Sequence, residues 1–251
     1  MDEQTMQLLI DMHKSNNRQG PGGEAETKKA LQLAGLDKSR PLKVADIGCG
    51  TGAGTIQLAK LLDAKITAVD FLQDFLDVLE ARAKDAGVAN CITTLNCSMD
   101  DLPFNNEEFD LIWSEGAIYN MGYAAGVADW KRFLKPKGLF VVSEICWLTA
   151  KRPDELQSYW NGEYPEIDLS SKKIAILEDN GFKPIAHFVL PPHCWSENYY
   201  RPLREGYDAF LERNNYSAGA KELVEYDKQE AALFDKYKDF YSYGVYIAEK
   251  V

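Results

Sequence analysis

The chain has 251 residues, of which 45% are hydrophobic and 27% are charged, so it can form one globular α/β domain with additions. Its formal net charge of −11 disfavours broad contact with a phosphate backbone, and we expect no nucleic-acid partner. The sequence has no C-x-x-C pair, no apolar run long enough to span a membrane and no basic-then-apolar leader, which together predict a reduced, cytoplasmic protein.

The N-terminal segment, residues 1–41, predicts two helices joined by a loop. Apolar residues recur at helical spacing over residues 3–14 and again over Glu24–Ala34, where Gly35 supplies the expected stop. Residues 15–23 between them are rich in glycine and turn formers. This loop is either a hinge that orders over a bound ligand or merely a linker. The apolar face of the first helix consists of Met6, Leu9 and Ile10, with His13 beside them.

The next stretch reads as a strand, a glycine-rich turn and a helix. An apolar strand, Leu42–Ile47, enters the turn Gly48-Cys49-Gly50-Thr51-Gly52, and helical spacing follows over residues 53–62. This arrangement forms the nucleotide site of doubly wound α/β domains, at the carboxyl end of the first strand. A second strand, residues 65–69, ends in Asp70, whose carboxylate can accept hydrogen bonds from both hydroxyls of a ribose.

Two cofactor classes could use this turn. Gly48, Gly50 and Ala53 formally satisfy the G-x-G-x-x-A pattern of a dinucleotide site, so an NAD-dependent oxidoreductase is one interpretation. The fuller pattern is D-x-G-x-G-x-G, with Asp46 inside the strand and the third glycine at Gly52. A carboxylate at this place would repel a pyrophosphate, whereas it suits the ammonium and sulfonium groups of S-adenosyl-L-methionine.

The elements that follow keep the alternation of strands and helices. Helices are predicted at residues 72–86, 124–134 and 171–180, and strands at residues 91–97, 109–114, 139–145, 183–190 and 242–248.

Residues 44–52 resemble motif I of the class I S-adenosylmethionine-dependent methyltransferases. Leu102-Pro103-Phe104 and Leu134-Lys135-Pro136-Lys137-Gly138 are similar to two further motifs, and the general pattern is like that of the ubiquinone/menaquinone-biosynthesis type. The resemblance covers residues 42–190 and the final strand. It implies S-adenosyl-L-methionine as cofactor and an α/β fold, a doubly wound, mostly parallel sheet of about seven strands with an antiparallel last strand and helical insertions.

The resemblance also implies which residues bind the cofactor. Ser98 stands where the family has an acid that contacts the adenine amino group, and the backbone of Met99 would contact the ring; Asp100 could substitute for Ser98. Ser114 and Glu115 leave the fourth strand where the family places the transferable methyl group. The cofactor-binding residues are then Asp46, Gly48, Gly50, Gly52, Asp70, Phe71, Ser98, Met99 and Ser114.

We expect a single domain over residues 1–251, made of the N-terminal segment, a cofactor-binding core (42–190), a helical insertion or lid (191–241) and the last strand (242–248). The insertion and a second one, residues 147–169, are rich in aromatic side chains. Most of these rings should pack the added helices onto the core, while some could line an acceptor pocket over the strand ends.

The predicted function is methyl transfer from S-adenosylmethionine to a small, partly apolar or ring-containing molecule. The alternatives are a module that binds S-adenosylmethionine without turnover, and the NAD-dependent oxidoreductase. Glu115 and His193 are candidate catalytic bases, although Glu115 could be a cofactor contact and His193 a plain loop residue. The histidines do not stand at metal-ligand spacing with cysteines or carboxylates, so no metal is predicted. The acceptor, the methylated atom and the oligomeric state stay open.

Overall fold

A computed structural model describes residues 2–37 and 39–251. Met1 and Lys38, which belong to the predicted N-terminal segment, lie outside the described residues. The described strands are β1 (Leu42–Ile47), β2 (Ala64–Asp70), β3 (Ile92–Asn96), β4 (Phe109–Glu115), β5 (Leu134–Trp147), β6 (Asp168–Leu169), β7 (Phe182–Val189) and β8 (Tyr241–Lys250).

These strands form one sheet with the order β3-β2-β1-β4-β5-β8-β7, and β6 pairs with the end of β5. Strands β1 to β5 run parallel, whereas β8 is antiparallel to both of its neighbours. The predicted mostly parallel sheet with an antiparallel last strand is therefore confirmed. The described residues give eight strands because β5 continues to Trp147, beyond its predicted end, and the extension pairs with Asp168–Leu169.

Helices cover both faces of the sheet, as the hydrophobic runs of its central strands require. The described helices are α1 (Glu3–His13), α2 (Glu24–Ala34), α3 (Ala53–Leu61), α4 (Gln73–Asp85), α5 (Tyr123–Trp130), α6 (Asp154–Glu163), α7 (Ser170–Asp179), α8 (His193–Trp195), α9 (Arg201–Arg213) and α10 (Ala218–Tyr237). The bounds of α1 to α4 and of α7 follow the predictions closely. Helix α5 ends early because Lys131–Phe133 form a 3-10 turn and Leu134 already belongs to β5.

Successive side chains of β1 point to opposite faces, and each face has its own core. Val44 packs with α2, α3 and the insertion helices, while Ala45 packs with α5 and α7. Most aromatic rings of the insertion belong to the core that contains Val44. The Trp195 ring stacks between Phe234 and Tyr243, with centroids 4.7 and 5.2 Å away. The insertion thus packs against the sheet through buried ring contacts, as expected for most of its aromatic residues.

Candidate cofactor and acceptor site

A cavity of about 640 Å³ opens at the carboxyl ends of the parallel strands, where open α/β sheets bind their ligands. Its floor is the glycine-rich turn after β1, and its walls come from the exits of β2, β3 and β4. Helix α1 and the loop that follows it cover the opposite side. We call this space the strand-end cavity, and residues 14–23 the N-terminal loop.

Two glycines of the turn meet close neighbours that a side chain would displace. Gly48 has φ of +74°, and a Cβ there would lie 2.2 Å from Cβ of Ala117. Gly52 has φ of +86°, and its Cβ would lie 2.0 Å from a methyl group of Leu79 on α4. Only Gly48 of these two lines the cavity. Gly52, predicted as a cofactor contact, instead lets α4 pack closely against the turn.

The backbone N–H groups of the turn already have protein acceptors. Gly48 and Cys49 donate to the carbonyl of Val69, and Gly52 donates to that of Cys49. The N–H of Gly50 donates to Oδ2 of Asp70 at 2.8 Å. The N–H of Thr51 donates to Oε1 of Gln19 at 2.9 Å. A dinucleotide site needs such groups free to hold a pyrophosphate, so this turn is poorly suited to one.

Asp46 and Asp70 bring two carboxylates to the cavity floor. Asp46 is buried and accepts a hydrogen bond of 2.6 Å from Oγ1 of Thr55. Burial raises the pKa of Asp46 to about 7 against the lowering effect of Thr55. Asp70 lies at the end of β2, where its second oxygen, Oδ1, accepts from the N–H of Leu72 at 2.9 Å. Burial also raises the pKa of Asp70, although these backbone donors favour its charged form.

The cofactor contacts predicted at the exits of β2 and β3 lie together in the cavity. Phe71, Ser98 and Met99 all line the cavity, and Asp100 is beside them. The Met99 carbonyl accepts a hydrogen bond of 3.0 Å from Nε1 of Trp130, which fixes the backbone there. Ser114, like Gly52, does not line the strand-end cavity, and its buried side chain lines a small second space between β4, β5 and α2.

Glu115 lines the cavity, and both of its carboxylate oxygens accept hydrogen bonds from the protein. Nη1 of Arg18 lies 2.5 Å from Oε2, while Oγ1 of Thr27 and Nε1 of Trp113 lie 2.8 and 3.1 Å from Oε1. Arg18 belongs to the N-terminal loop and Thr27 to α2. The carboxylate thus ties the N-terminal segment to the end of β4. Both lone pairs of Oε1 are engaged by Thr27 and Trp113, whereas Oε2 keeps one lone pair beside Arg18.

His193, the other candidate base, lies at the start of α8 and is not among the described residues that line the cavity. Its Nε2 faces Oε1 of Glu26 at 3.4 Å. The structure therefore does not bring His193 to the reacting centre that the sequence proposed.

The N-terminal loop contributes residues that the sequence did not single out. Gln19 spans the turn: its Oε1 accepts from Thr51, and its Nε2 donates to the carbonyls of His13 and Asn16. Arg82 of α4 donates to the Asn16 carbonyl at 3.0 Å and to the Thr51 hydroxyl. The only signal in the sequence was the loop's glycine-rich composition, which does not reveal these contacts.

The far lobe of the cavity is largely apolar. The face of α1 supplies Met6, Leu9 and Ile10, which the sequence placed on one side of the helix without assigning a role. Its neighbour His13 stacks on Tyr199 of the insertion at 6.3 Å, and burial lowers the pKa of His13 to about 4, so the ring is neutral. Tyr119 of the β4 exit completes the lobe.

Glu144 of β5 is fully buried and faces Nζ of Lys173 at 3.4 Å. It is not among the cavity-lining residues. Among the described residues that do line the cavity, four are acidic and Arg18 is the one lysine or arginine. The net negative lining favours a cationic ligand over a pyrophosphate.

A doubly wound sheet with an antiparallel last strand, a glycine-rich turn after β1 and an acid at the end of β2 defines the class I methyltransferase fold. A methyltransferase from Geobacter sulfurreducens described as SAM-dependent and solved with S-adenosyl-L-homocysteine superposes with a TM-score of 0.85 at 16% identity, covering 98% of each chain. At this identity the likeness establishes the fold.

Residues 44–138 match the family model for a methyltransferase domain. The uncharacterized methyltransferase YodH of Bacillus subtilis is 31% identical over 135 residues, which are 54% of this chain and 56% of YodH. The ubiquinone/menaquinone biosynthesis C-methyltransferase UbiE of Burkholderia vietnamiensis is 31% identical over 152 residues, 57% of this chain and 62% of UbiE. The chain thus spans less than two thirds of the length of these relatives. The match of residues 44–138 to a methyltransferase domain and the shared fold agree with the resemblance to class I S-adenosylmethionine-dependent methyltransferases that the sequence shows.

The part of the chain that the structure describes contains no helix with the length and apolar character that crossing a membrane requires.

Proposed function

We propose that this protein transfers a methyl group from S-adenosyl-L-methionine to a small, partly apolar molecule. The observation that carries the proposal is the continuity of the strand-end cavity. One end has the carboxylates and the β2 and β3 exits that suit an adenosine and a cationic amino acid, and the other end is apolar and aromatic. Its volume of about 640 Å³ is within the range of small-molecule sites, roughly 300–1,000 Å³.

The residues that would hold the cofactor follow from this geometry. Asp70 would accept hydrogen bonds from the two ribose hydroxyls, since each of its oxygens keeps a lone pair after binding a backbone N–H. Phe71, Ser98 and Met99 would surround the adenine. Asp46 would lie under the ammonium or sulfonium, where a cation stabilises its buried carboxylate.

The acceptor would occupy the lobe between α1, Tyr119 and Tyr199. Aromatic rings with polar tips grip a ring or an amphipathic molecule, and the apolar face of α1 excludes water above it. The net negative charge of the chain disfavours the binding of a polyanionic acceptor. The absence of a nucleic-acid partner and a cytoplasmic location stay predictions.

The chain's part in the chemistry is mainly alignment. S-adenosylmethionine supplies a methyl group that is already activated on its sulfonium. The protein has to hold the acceptor in line with that methyl and to keep water out, which the covering helix and loop can do. We assign Glu115 a positioning role, because its three hydrogen-bond donors make it the anchor of the N-terminal loop rather than a free base.

Calorimetry with S-adenosylmethionine, S-adenosylhomocysteine and NAD tests the cofactor. We expect both adenosyl ligands to bind and NAD to bind poorly. Asp70→Ala should weaken the binding of S-adenosylmethionine by about 2–4 kcal/mol, since two hydrogen bonds to a charged acceptor are lost. Asp74→Ala, at an exposed position four residues along, is the control and should bind like the wild type. Binding of Asp70→Ala within about threefold of wild type would contradict the assignment.

Turnover is tested separately, by release of S-adenosylhomocysteine in a screen of phenols, quinols and small amines. Nucleic acids and basic peptides belong in the same screen. Methylation of those polymers without methylation of small molecules would overturn the acceptor class. Binding of S-adenosylmethionine with no turnover on any acceptor would favour the binding-module alternative.

A further inference from the structure

Three metal-ligating side chains from two distant parts of the chain meet at the head of the insertion. Glu26 comes from α2, while His193 and Cys194 begin α8. Their ligand atoms all lie within 4.8 Å of one another. The sequence predicted no metal because its linear spacing does not link Glu26 to the His193-Cys194 pair. The fold makes that link, outside the residues that line the strand-end cavity.

The distances within this cluster fit metal coordination better than hydrogen bonding. Nε2 of His193 lies 3.4 Å from Oε1 of Glu26 and 3.8 Å from Sγ of Cys194. A strong hydrogen bond from nitrogen to oxygen is shorter, about 2.7–3.2 Å. A tetrahedral zinc ion with bonds of about 2.1 Å to nitrogen and oxygen and about 2.3 Å to sulfur separates its ligands by about 3.4 and 3.6 Å.

The orientation of the imidazole supports the same interpretation. In a nucleophile–histidine–acid relay, the two ring nitrogens engage different partners. Here a single nitrogen of His193 faces both the carboxylate of Glu26 and the sulfur of Cys194. Three donor atoms that converge on one point are the arrangement expected around a cation.

Burial leaves one of these groups without a partner. Oε2 of Glu26 is buried and has no hydrogen bond, and the side chain of Cys194 is fully buried. A buried carboxylate with an unpaired oxygen is costly, and a cation held by Oε1, the oxygen that faces His193, would balance its charge. Burial and the nearby Glu26 carboxylate raise the pKa of the Cys194 thiol to about 12, so the thiol is protonated when no cation is bound. The half-exposed ring of His193 leaves a solvent side for a fourth ligand.

We propose that Glu26, His193 and Cys194 bind one borderline-soft divalent cation, with Zn²⁺ as the best match to this donor set. On binding, the thiol releases its proton to solvent and the sulfur donates an electron pair to the ion, with no change in oxidation state.

The cation would join α2 to the insertion beside the N-terminal loop. At the same place, Nδ2 of Asn198 donates to the Gly22 carbonyl at 2.7 Å, and the N–H of Gly22 donates to the Cys194 carbonyl at 3.4 Å. The site would therefore hold the loop that covers the strand-end cavity. This role is structural and does not depend on which acceptor is methylated.

Co²⁺ titration of the chelator-treated full chain, followed by absorbance, tests the site without any cofactor. We expect one equivalent to bind with a thiolate-to-cobalt charge-transfer band and the visible bands of tetrahedral Co²⁺, and Zn²⁺ to displace it. Cys194→Ser should abolish the charge-transfer band. His193→Gln should weaken binding at least about 100-fold, since even second-shell changes reach that size.

The matched control is Cys91→Ser, a half-buried free cysteine in another part of the structure, which should leave the titration unchanged. His193→Gln alters a half-exposed side chain and should fold, so it keeps the test decisive if Cys194→Ser does not fold. In parallel, Zn²⁺ should raise the melting temperature of the wild type but not of His193→Gln. Absence of the charge-transfer band in the wild type, or its persistence in Cys194→Ser, would overturn the proposal.

Discussion

The ion pair between Arg18 and Glu115 gives the sharpest test of how the N-terminal segment is held. Nη1 of Arg18 lies 2.5 Å from Oε2 of Glu115, and the two side chains are only 11% and 22% exposed. In Glu115→Gln the guanidinium loses its counter-charge but stays largely enclosed. Breaking a fully buried pair costs about 3–5 kcal/mol, and partial exposure reduces this to about 2–4 kcal/mol of unfolding free energy.

Urea unfolding of the cofactor-free protein at pH 7 measures this loss. The matched control is Glu197→Gln, which breaks an ion pair of the same 2.5 Å length between Arg201 and Glu197 on the surface, where the side chains are 59% and 50% exposed. That change should cost no more than about 0.5 kcal/mol. The two pairs differ in burial and in the two further hydrogen bonds that Glu115 accepts from Thr27 and Trp113.

A double-mutant cycle with Arg18→Met separates the pair from other contacts of Glu115. The double variant should be more stable than the sum of the single losses predicts, by at least about 1 kcal/mol, because it leaves no uncompensated charge. If Glu115→Gln unfolds within about 0.5 kcal/mol of the wild type, or if the two losses simply add, the pair does not anchor the N-terminal segment.

Three further predictions concern the cavity floor and the sheet. Because Asp46 has a pKa of about 7 and a cationic cofactor favours its charged form, S-adenosylmethionine affinity should fall about fivefold from pH 7 to pH 6. In Asp46→Asn the affinity for S-adenosylmethionine, measured by calorimetry, should change less between pH 7 and pH 6. The same pH dependence in the variant and the wild type would contradict the role of Asp46. Gly52→Ala should destabilise the protein by about 2–5 kcal/mol, combining positive φ with the contact to Leu79, whereas Gly87→Ala, with φ of +71° and no neighbour within 4 Å, should lose only about 1–2 kcal/mol. Equal losses in thermal unfolding would exclude the Leu79 contact as the cause. Lys173→Met leaves Glu144, whose pKa burial already raises to about 7, without its cation. A carboxyl with a raised pKa stabilises the fold at low pH and loses that contribution as pH rises, so the variant should be more destabilised at pH 8 than at pH 6; a loss independent of pH would refute this.

The sequence predicted the sheet well because its strands and helices carry local signals. Hydrophobic runs, glycine stops and the turn after β1 placed the core strands and helices α1 to α5 and α7 to within about five residues, and the antiparallel last strand followed from the family resemblance. The additional strand β6 was missed since two residues, Asp168 and Leu169, cannot show a period.

The candidate site was less predictable, because its contacts join distant parts of the chain. Asp70 was predicted from its place at a strand end and Ser98 from the family resemblance, and both line the cavity. The pairing of Arg18 with Glu115 spans 97 residues and has no sequence signal. The sequence therefore offered Glu115 as a candidate base or cofactor contact, and its ion pair with the N-terminal loop was not foreseen. The same limitation hid the meeting of Glu26 with His193.

The loop bonded across the glycine-rich turn has a consequence for kinetics. The N–H of Thr51 donates to Gln19, and Arg82 of α4 donates to the Ser15 and Asn16 carbonyls, so these bonds between the loop and the rest of the site must break together before the cavity can open. We expect opening to be one cooperative event, slower than diffusion of any ligand within the cavity. S-adenosylmethionine and S-adenosylhomocysteine would then leave at similar rates, both set by the opening of the loop. Product release rather than methyl transfer would limit turnover.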